Sequence, residues 1–325
     1  MLSRRRFTML AGTSLIGLGA GEAGAQTSSS RPINMIVPFE AGSAPDVYAR
    51  LIAEAMRRSM GRSIVVENKL GAAGNVGTSA LAREPADGAA ILVGSMALCE
   101  INPLVFDNMR WSMKDFTPVI KGIGAPLVLV VHPSVPARTL EELVAWAKSK
   151  AGSLSYASYG AGTPSHFLGE QLTKTFNLDL AHVPYRGSIS QVSEILAGHS
   201  LMGFAQTQNS LEHLRSGNLR AIAITSNQRY RLLPDVSTFD EVGHPKFATA
   251  VWFGLLVRAG APTDFLDAVT SAAIAAHGDP QVREALMPQG YDIIGQVGAD
   301  FAKSIEEGSA RWAVTVKATG FKASQ

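Results

Sequence analysis

Three short stretches carry the residue types that could hold an anion. They are Pro38-Phe39-Glu40-Ala41-Gly42-Ser43-Ala44-Pro45-Asp46, Gly94-Ser95-Met96 and Ser158-Tyr159-Gly160-Ala161-Gly162-Thr163-Pro164-Ser165. In the first and third, an apolar run gives way to an amphipathic one, the mark of a strand turning into a helix. Glycine lets the backbone turn tightly there, and a proline in the first helical turn loses nothing by lacking an N–H. Such turns leave backbone N–H groups unpaired at the positive end of a helix, where carboxylates and phosphates bind. None of the three contains Lys or Arg. A micromolar ligand needs about −8 kcal/mol. Four or five charge-assisted hydrogen bonds at about 1.5–3 kcal/mol each, with two helix ends at about 0.3–1 kcal/mol each, reach that after association costs. One such turn alone is ordinary punctuation, so the question is whether two of them face one cleft.

Other chemistries lack their residues. The chain has no Gly-x-Ser-x-Gly elbow, no His-Glu-x-x-His, no Cys-x-x-Cys and no phosphate-binding Walker loop. Gly19-x-Gly21-x-x-Gly24 has the dinucleotide spacing but follows no strand. His166 and Glu170 are four apart on an expected helix, which reads as a surface pair before it reads as a metal site. Ser165 beside His166 has no triad geometry. The single Cys99 follows an apolar run and reads as a buried thiol. No cofactor and no metal are expected.

The elements that must position the turns alternate along the chain. Ile33–Phe39, Ile64–Glu67 and Ala89–Val93 are β-like, with a helix expected over Asp46–Met60. A second series opens at Leu127–Val131, apolar throughout as a strand buried on both faces would be. Thr139–Lys150 follows, with Thr139 and Glu142 spaced as a capping box. Strands at Leu154–Ser158, Ala181–Val183, Leu201–Ala205 and Leu219–Thr225 alternate with helices starting near Ser165 and Ser190. Trp252–Val257 is strand-like, and Asp264–His277, Pro280–Met287 and Ala299–Ala318 read as closing helices. This alternation predicts an α/β protein with parallel sheets.

The first 25 residues read as a removable export signal. Arg4, Arg5 and Arg6 precede a weakly apolar stretch, and Ala23-Gly24-Ala25 supplies the small-x-small cleavage pattern. Ser3-Arg4-Arg5-Arg6-Phe7 fits a twin-arginine route, with the general secretory route as the competitor. Cleavage would remove three Arg and Glu22, taking 29 basic and 27 acidic residues to 26 of each. A neutral mature chain has no electrostatic footprint for nucleic acid or anionic membrane.

Several stretches in order resemble the periplasmic solute receptors of tripartite tricarboxylate transporters, the Bug receptors. They include Ile36-Val37-Pro38-Phe39 with Ala41-Gly42 to Asp46, Val65-Val66-Glu67-Asn68 with Gly71-Ala72-Ala73-Gly74-Asn75, Pro85-Ala86-Asp87-Gly88, Tyr156-Ala157-Ser158, His182-Val183-Pro184-Tyr185-Arg186-Gly187 and Trp252-Phe253-Gly254-Leu255. The resemblance covers essentially the whole mature chain. It implies a two-domain, type II periplasmic-binding-protein (Venus-flytrap) fold with an interdomain ligand cleft. Residues 26–125 plus 251–325 would form domain 1 and 126–250 domain 2, hinged at Leu127–Val131 and near Val251–Leu255. It implies a periplasmic monomer that is not an enzyme, binding a small carboxylate and passing it to the membrane permease subunits of such a transporter. By position, ligand contacts fall on Phe39, Ala41, Ser43, Ala44 and Asp46, on Ser95 and Met96, on Ser158, Tyr159, Gly160, Thr163 and Ser165, and on Ala205 and Gln206.

Departures from the family pattern refine this. Ser43-Ala44-Pro45 stands where Gly-Gly-Thr is common, and Ala161 where Asn is usual. Ala205-Gln206 replaces Asp-Asn, removing an acid that would hold an ammonium group, and Tyr159 adds an aromatic wall. A neutral-bodied or aromatic carboxylate is expected. Asp46 could equally serve the helix dipole, and Arg186 could simply be solvated. An exported hydrolase is the alternative and demands a Ser or Asp beside a His in the cleft. A ligand-presenting sensor component is a further one.

Overall fold

The structure is a computed structural model and describes residues 31–150 and 152–323. The expected signal, its twin-arginine stretch and the dinucleotide-like glycines lie outside the described residues. The first series is β1 (Ile33–Val37), α1 (Ala44–Met60), β2 (Ile64–Asn68), α2 (Asn75–Arg83), β3 (Ala90–Ser95) and α3 (Asn102–Val105), with a π-helical turn at Ala97–Ile101 before α3. A 16-residue strand, β4 (Phe116–Val131), follows. Next come α4 (Leu140–Ser149), β5 (Leu154–Ser158), α5 (Pro164–Phe176), β6 (Leu180–Pro184), α6 (Ser188–Leu196), β7 (Met202–Gln206), α7 (Thr207–Arg215) and β8 (Arg220–Ile224). The last described elements are β9 (Ala250–Arg258), α8 (Thr263–Gly278), α9 (Pro280–Leu286), β10 (Asp292–Val297) and α10 (Gly298–Thr319).

Local sequence explains why these elements start and stop. In α1, Tyr48, Ile52 and Met56 recur every fourth residue and are fully buried; each contributes about 1.5–3 kcal/mol by leaving water. Pro45 sits in the first turn, Asp46 complements the positive end, and Arg57 and Arg58 the negative end. Gly61, at φ 61°, ends the helix in the left-handed region that a Cβ disfavours. At α4 only half of the capping box closes. The Glu142 amide donates to Thr139 Oγ1 at 3.2 Å, but the Glu142 carboxylate takes the Arg138 amide at 2.6 Å, one residue early.

The sheet is mixed, which corrects the parallel expectation. Strand order is β2-β1-β3-β9-β4-β7-β5-β6, with β8 and β10 also on β4. Strands β1, β2 and β3 pair in parallel, as do β5, β6 and β7, while every pairing of β4 and β9 is antiparallel. One strand serves both halves: Phe116–Pro126 of β4 lies along β9, and Leu127–Val131 lies between β7 and β8. The chain thus changes partners at Pro126 and Leu127, one step before the expected hinge strand begins. Thr225 ties the crossing. Its hydroxyl lies 2.9 Å from the Leu127 amide and 2.7 Å from the Thr249 carbonyl. The closing helices pack mainly on the first half, but the end of α10 and the residues after it reach α5: Lys174 Nζ donates to the Ala318 carbonyl, and Phe321 packs on His166 and Phe167. Among the described residues no helix is long and apolar enough to cross a membrane.

Candidate functional site

A cavity of about 390 Å³ opens where the two series meet, and all three anion-type turns line it. Phe39, Ser43 and Ala44 come from the β1–α1 turn, Ser95 and Met96 from the end of β3, Tyr159, Gly160 and Thr163 from the β5–α5 turn, and Gln206 from the end of β7. The remaining expected contacts, Ala41, Asp46, Ser158, Ser165 and Ala205, are not in the lining. Ala41 points to solvent and Ala205 is fully buried.

Asp46 is instead the organiser of the first turn. Its carboxylate accepts from Arg50 Nε and Nη2 at 2.9 and 3.0 Å, from the Gly42 amide at 2.8 Å and from Asn68 Nδ2 at 2.9 Å. Burial pushes its pKa up, but these partners together outweigh burial and hold it below the ordinary carboxylate value. Asn68 donates from the same amide to the Phe39 carbonyl at 3.0 Å, so β2 braces the turn. Asp46→Asn is expected to lower unfolding free energy by about 1–3 kcal/mol, since it unpairs a buried charge-assisted network. A thermal midpoint equal to the parent's would show that the turn does not depend on the charge. The stability from Asp46 is present above its unfolded pKa and lost as pH falls through the lower folded value.

The third turn is built the same way. Ser158 is fully buried, and its hydroxyl lies 2.7 Å from His182 Nε2 and accepts the Gly160 amide at 3.3 Å. Thr163 caps α5 and donates its hydroxyl proton to the Gly160 carbonyl at 2.7 Å, so that proton is already committed. Ser165 donates to the Phe204 carbonyl at 2.6 Å. Gln191 of α6, fully buried, uses one Nε2 to hold the Ala157 carbonyl, the Phe204 carbonyl and Ser165 Oγ at 2.9, 3.1 and 3.2 Å. Gly160 and Gly162 sit at φ 146° and 77°, which lets the turn double back. After this internal accounting, the Ala44 and Ala161 amides make no hydrogen bond within the described chain. Both residues line the cavity, one from each turn.

The sequence reading missed other parts of the lining. The Gly71–Gly74 loop contributes Gly71, Ala73 and Gly74, with Ala72 and Ala73 both in the left-handed region that only glycine enters freely. Its signal was the matched Gly-Ala-Ala-Gly stretch, which carries no cue that alanines would adopt that backbone. Arg186 is in the lining, exposed and with no hydrogen-bond partner among the described residues, as the one cation there; Glu40 is the one acid. Trp252 forms the floor. Its Nε1 donates to Glu100 Oε1 at 2.7 Å, Lys121 Nζ lies 5.5 Å over its ring, and Phe301 meets it edge-on at 5.1 Å. Burial pushes the Glu100 carboxyl up to about 7 against the pull of the indole and Lys121. Neighbouring Cys99 is buried as expected, and burial, with Glu100 beside it, pushes its thiol up.

The His166–Glu170 surface pair is corrected. His166 is 4% exposed and accepts the Gly162 amide, while Glu170 accepts from the Tyr156 hydroxyl at 3.0 Å. The hydrolase alternative demanded a Ser beside a His, and Ser158–His182 is such a pair. Ser158 is walled off from the cavity, however, so no substrate carbonyl placed there could meet its hydroxyl. Among the described residues no group of three or more His, Cys, Asp or Glu could hold a metal.

Residues 48–321 match the family described as tripartite tricarboxylate transporter family receptor. Protein BugT of Bordetella pertussis is 32% identical over 305 residues, covering 93% of this chain and 94% of its own. The structure of periplasmic binding protein BugD superposes with TM-score 0.81 at 30% identity, covering 90% of this chain and 98% of its own. Rpa4515 of R. palustris, solved with adipate, gives 0.83 at 28% identity over 91% and 99%. MatC of Rhodopseudomonas palustris, solved with bound malate, gives 0.80 at 27% identity over 88% and 99%.

Proposed function

Because the chain belongs to the receptor family of tripartite tricarboxylate transporters and is therefore a periplasmic solute-binding protein, we propose that it captures a small carboxylate between the β1–α1 and β5–α5 turns and delivers it to the permease of such a transporter. The observation that carries this reading is the pair of unpartnered amides on one cavity, Ala44 at the start of α1 and Ala161 in the turn that leads into α5. Adipate in one relative and malate in another support a carboxylate. The partly exposed rings of Phe39 and Tyr159, and the uncharged Gln206, favour an apolar or aromatic body over an ammonium-bearing one.

In this reading Phe39, Ser43, Ala44, Ser95, Met96, Tyr159, Gly160, Thr163 and Gln206 face the ligand. Asp46, Ser158 and Ser165 act one step behind, by holding the turns. Residues 26–125 with 251–325 and residues 126–250 are the two lobes, and they close about the Pro126–Leu127 and Thr249–Val251 crossings. The protein works as an exported monomer without catalysis or cofactor.

The test is thermal unfolding with adipate, malate, benzoate and a broad set of other acids. A ligand held only by the native state adds about 2.7 kcal/mol at a hundred times its Kd, which raises the melting temperature clearly. No rise with any acid, from protein purified without retained ligand, would sink the reading.

A further inference from the structure

The β5–α5 turn rests on a column of four rings. Tyr156 of β5 stacks on His182 of β6 at 5.0 Å, and His182 stacks on His166 of α5 at 4.0 Å with 15° between planes. Phe321 stands edge-on to His166 at 4.8 Å. Each imidazole also grips the turn above it. His182 Nε2 lies 2.7 Å from Ser158 Oγ, and the Gly162 amide donates to His166 Nδ1 at 3.1 Å. An amide can donate to Nδ1 only when that nitrogen carries no proton, so the His166 ring is neutral with its proton on Nε2. The Gly160 amide is spent on Ser158 Oγ and the Thr163 amide on the Gly160 carbonyl. Ala161, between them, keeps the one uncommitted amide of the Gly160–Thr163 segment.

We propose that His166 and His182 are positioning residues for the ligand turn: the neutral His166 ring absorbs the Gly162 amide, His182 fixes Ser158, and the Ala161 amide is thereby aimed at the ligand's carboxylate. The proposal rests on the carboxylate-receptor reading of the same site. It makes the turn proton-sensitive. A proton on His166 Nδ1 would face the Gly162 N–H donor to donor, and the turn would open.

Burial and His182 favour the neutral His166 ring, and the one nearby acid is otherwise engaged. His182 faces it from β6 and would add like charge. Glu170, one turn along α5, is engaged by the Tyr156 hydroxyl of β5 and acts on His182. Lys174 is turned to the Ala318 carbonyl, and Lys322, next to Phe321, is paired with Asp107 at 2.6 Å. Burial, with the neighbouring His182, holds His166 down at about 4, and burial holds His182 below its ordinary value.

The test uses the ligand-free, 15N-labelled chain. At neutral pH the His166 ring should report the Nε2–H tautomer. The Ala161 and Gly162 amide resonances should move together with that ring, with a midpoint near pH 4. His166→Asn places an amide oxygen near the Nδ1 position and does not titrate; it should keep the turn and remove the acid-side movement. His166→Phe keeps the ring column and drops the acceptor. It should displace the turn amides already at neutral pH and weaken whichever of benzoate or adipate binds by about tenfold, as for one buried amide left unpaired. An Nδ1–H tautomer at neutral pH, or turn amides that ignore the His166 titration, overturns the proposal. Acids that fail to bind the parent protein count against the receptor reading and leave the resonance arms to decide this one.

Discussion

Trp252→Ala is expected to lower the unfolding free energy by about 3–5 kcal/mol, the largest loss from any single side chain at the site. The indole is 1% exposed, wedged edge-on to Phe301, capped by Lys121 and bonded to Glu100. Its removal opens a void between β9 and α10 and strips a buried acid of its donor, so the packing loss and the polar loss add. Urea unfolding measures it, and a deficit under about 1 kcal/mol would show that the floor collapses to refill the space. The deficit should also depend on pH. Glu100 has a raised folded pKa, so its stabilising contribution is complete below the unfolded value and is lost as pH rises through about 7. His166 has the opposite slope: its contribution is complete above 6.5 and lost as pH falls through about 4. Without the indole as donor, Glu100 ionises less readily still, and the loss with rising pH shifts to higher pH.

Gly254→Val should cost about 3 kcal/mol or more and leave little folded protein. A Cβ on Gly254 would stand 2.4 Å from the Ile120 carbonyl oxygen and 3.1 Å from Lys121 Cα. Both are backbone atoms of β4, which cannot swing aside as a side chain can. Gly94, its cross-strand partner, provides the contrast. A Cβ there meets the Leu256 methyl at 2.1 Å and Cys99 Sγ at 3.3 Å, mobile ends of side chains, so Gly94→Ala should be much milder. Thermal unfolding of the two variants side by side decides it; equal midpoints would mean that β9 can shift off β4.

These two sites also mark what local sequence could and could not disclose. The β1–α1 and β5–α5 turns were legible because Gly, Pro and Ser or Thr must fall at fixed places where a strand becomes a helix. The apolar run Leu127–Val131 was legible because both its faces are covered. The first half of β4 was not: Pro118, Gly122, Gly124 and Pro126 interrupt any period, and the strand exists because β9 and β10 flank it. Antiparallel crossings of this kind are contacts between distant segments and leave no local pattern. The sequence leaves Asp46 open between ligand contact and helix-dipole partner, and Arg50, four residues on, is the cue that favours the structural role. The bracing of the third turn by His182 and Gln191 depends on the sheet placing β6 and α6 beneath it, which no spacing announces.

The shared strand has a consequence for how the gene can be cut and the chain made. Gly94 on β3 must wait for Gly254 before its edge is covered, and Phe116–Pro126 waits for the same late segment. A nascent chain therefore carries a bare apolar sheet edge through the synthesis of every element from α4 to β8, the situation in which strands join to the wrong neighbours. Truncation before β9 would yield aggregates rather than a half-protein. Excision of residues 126–250 with the cut ends rejoined would keep β3, β4 and β9 together. Isolating the β3–β9–β4 sheet therefore calls for removing the middle of the gene rather than its end.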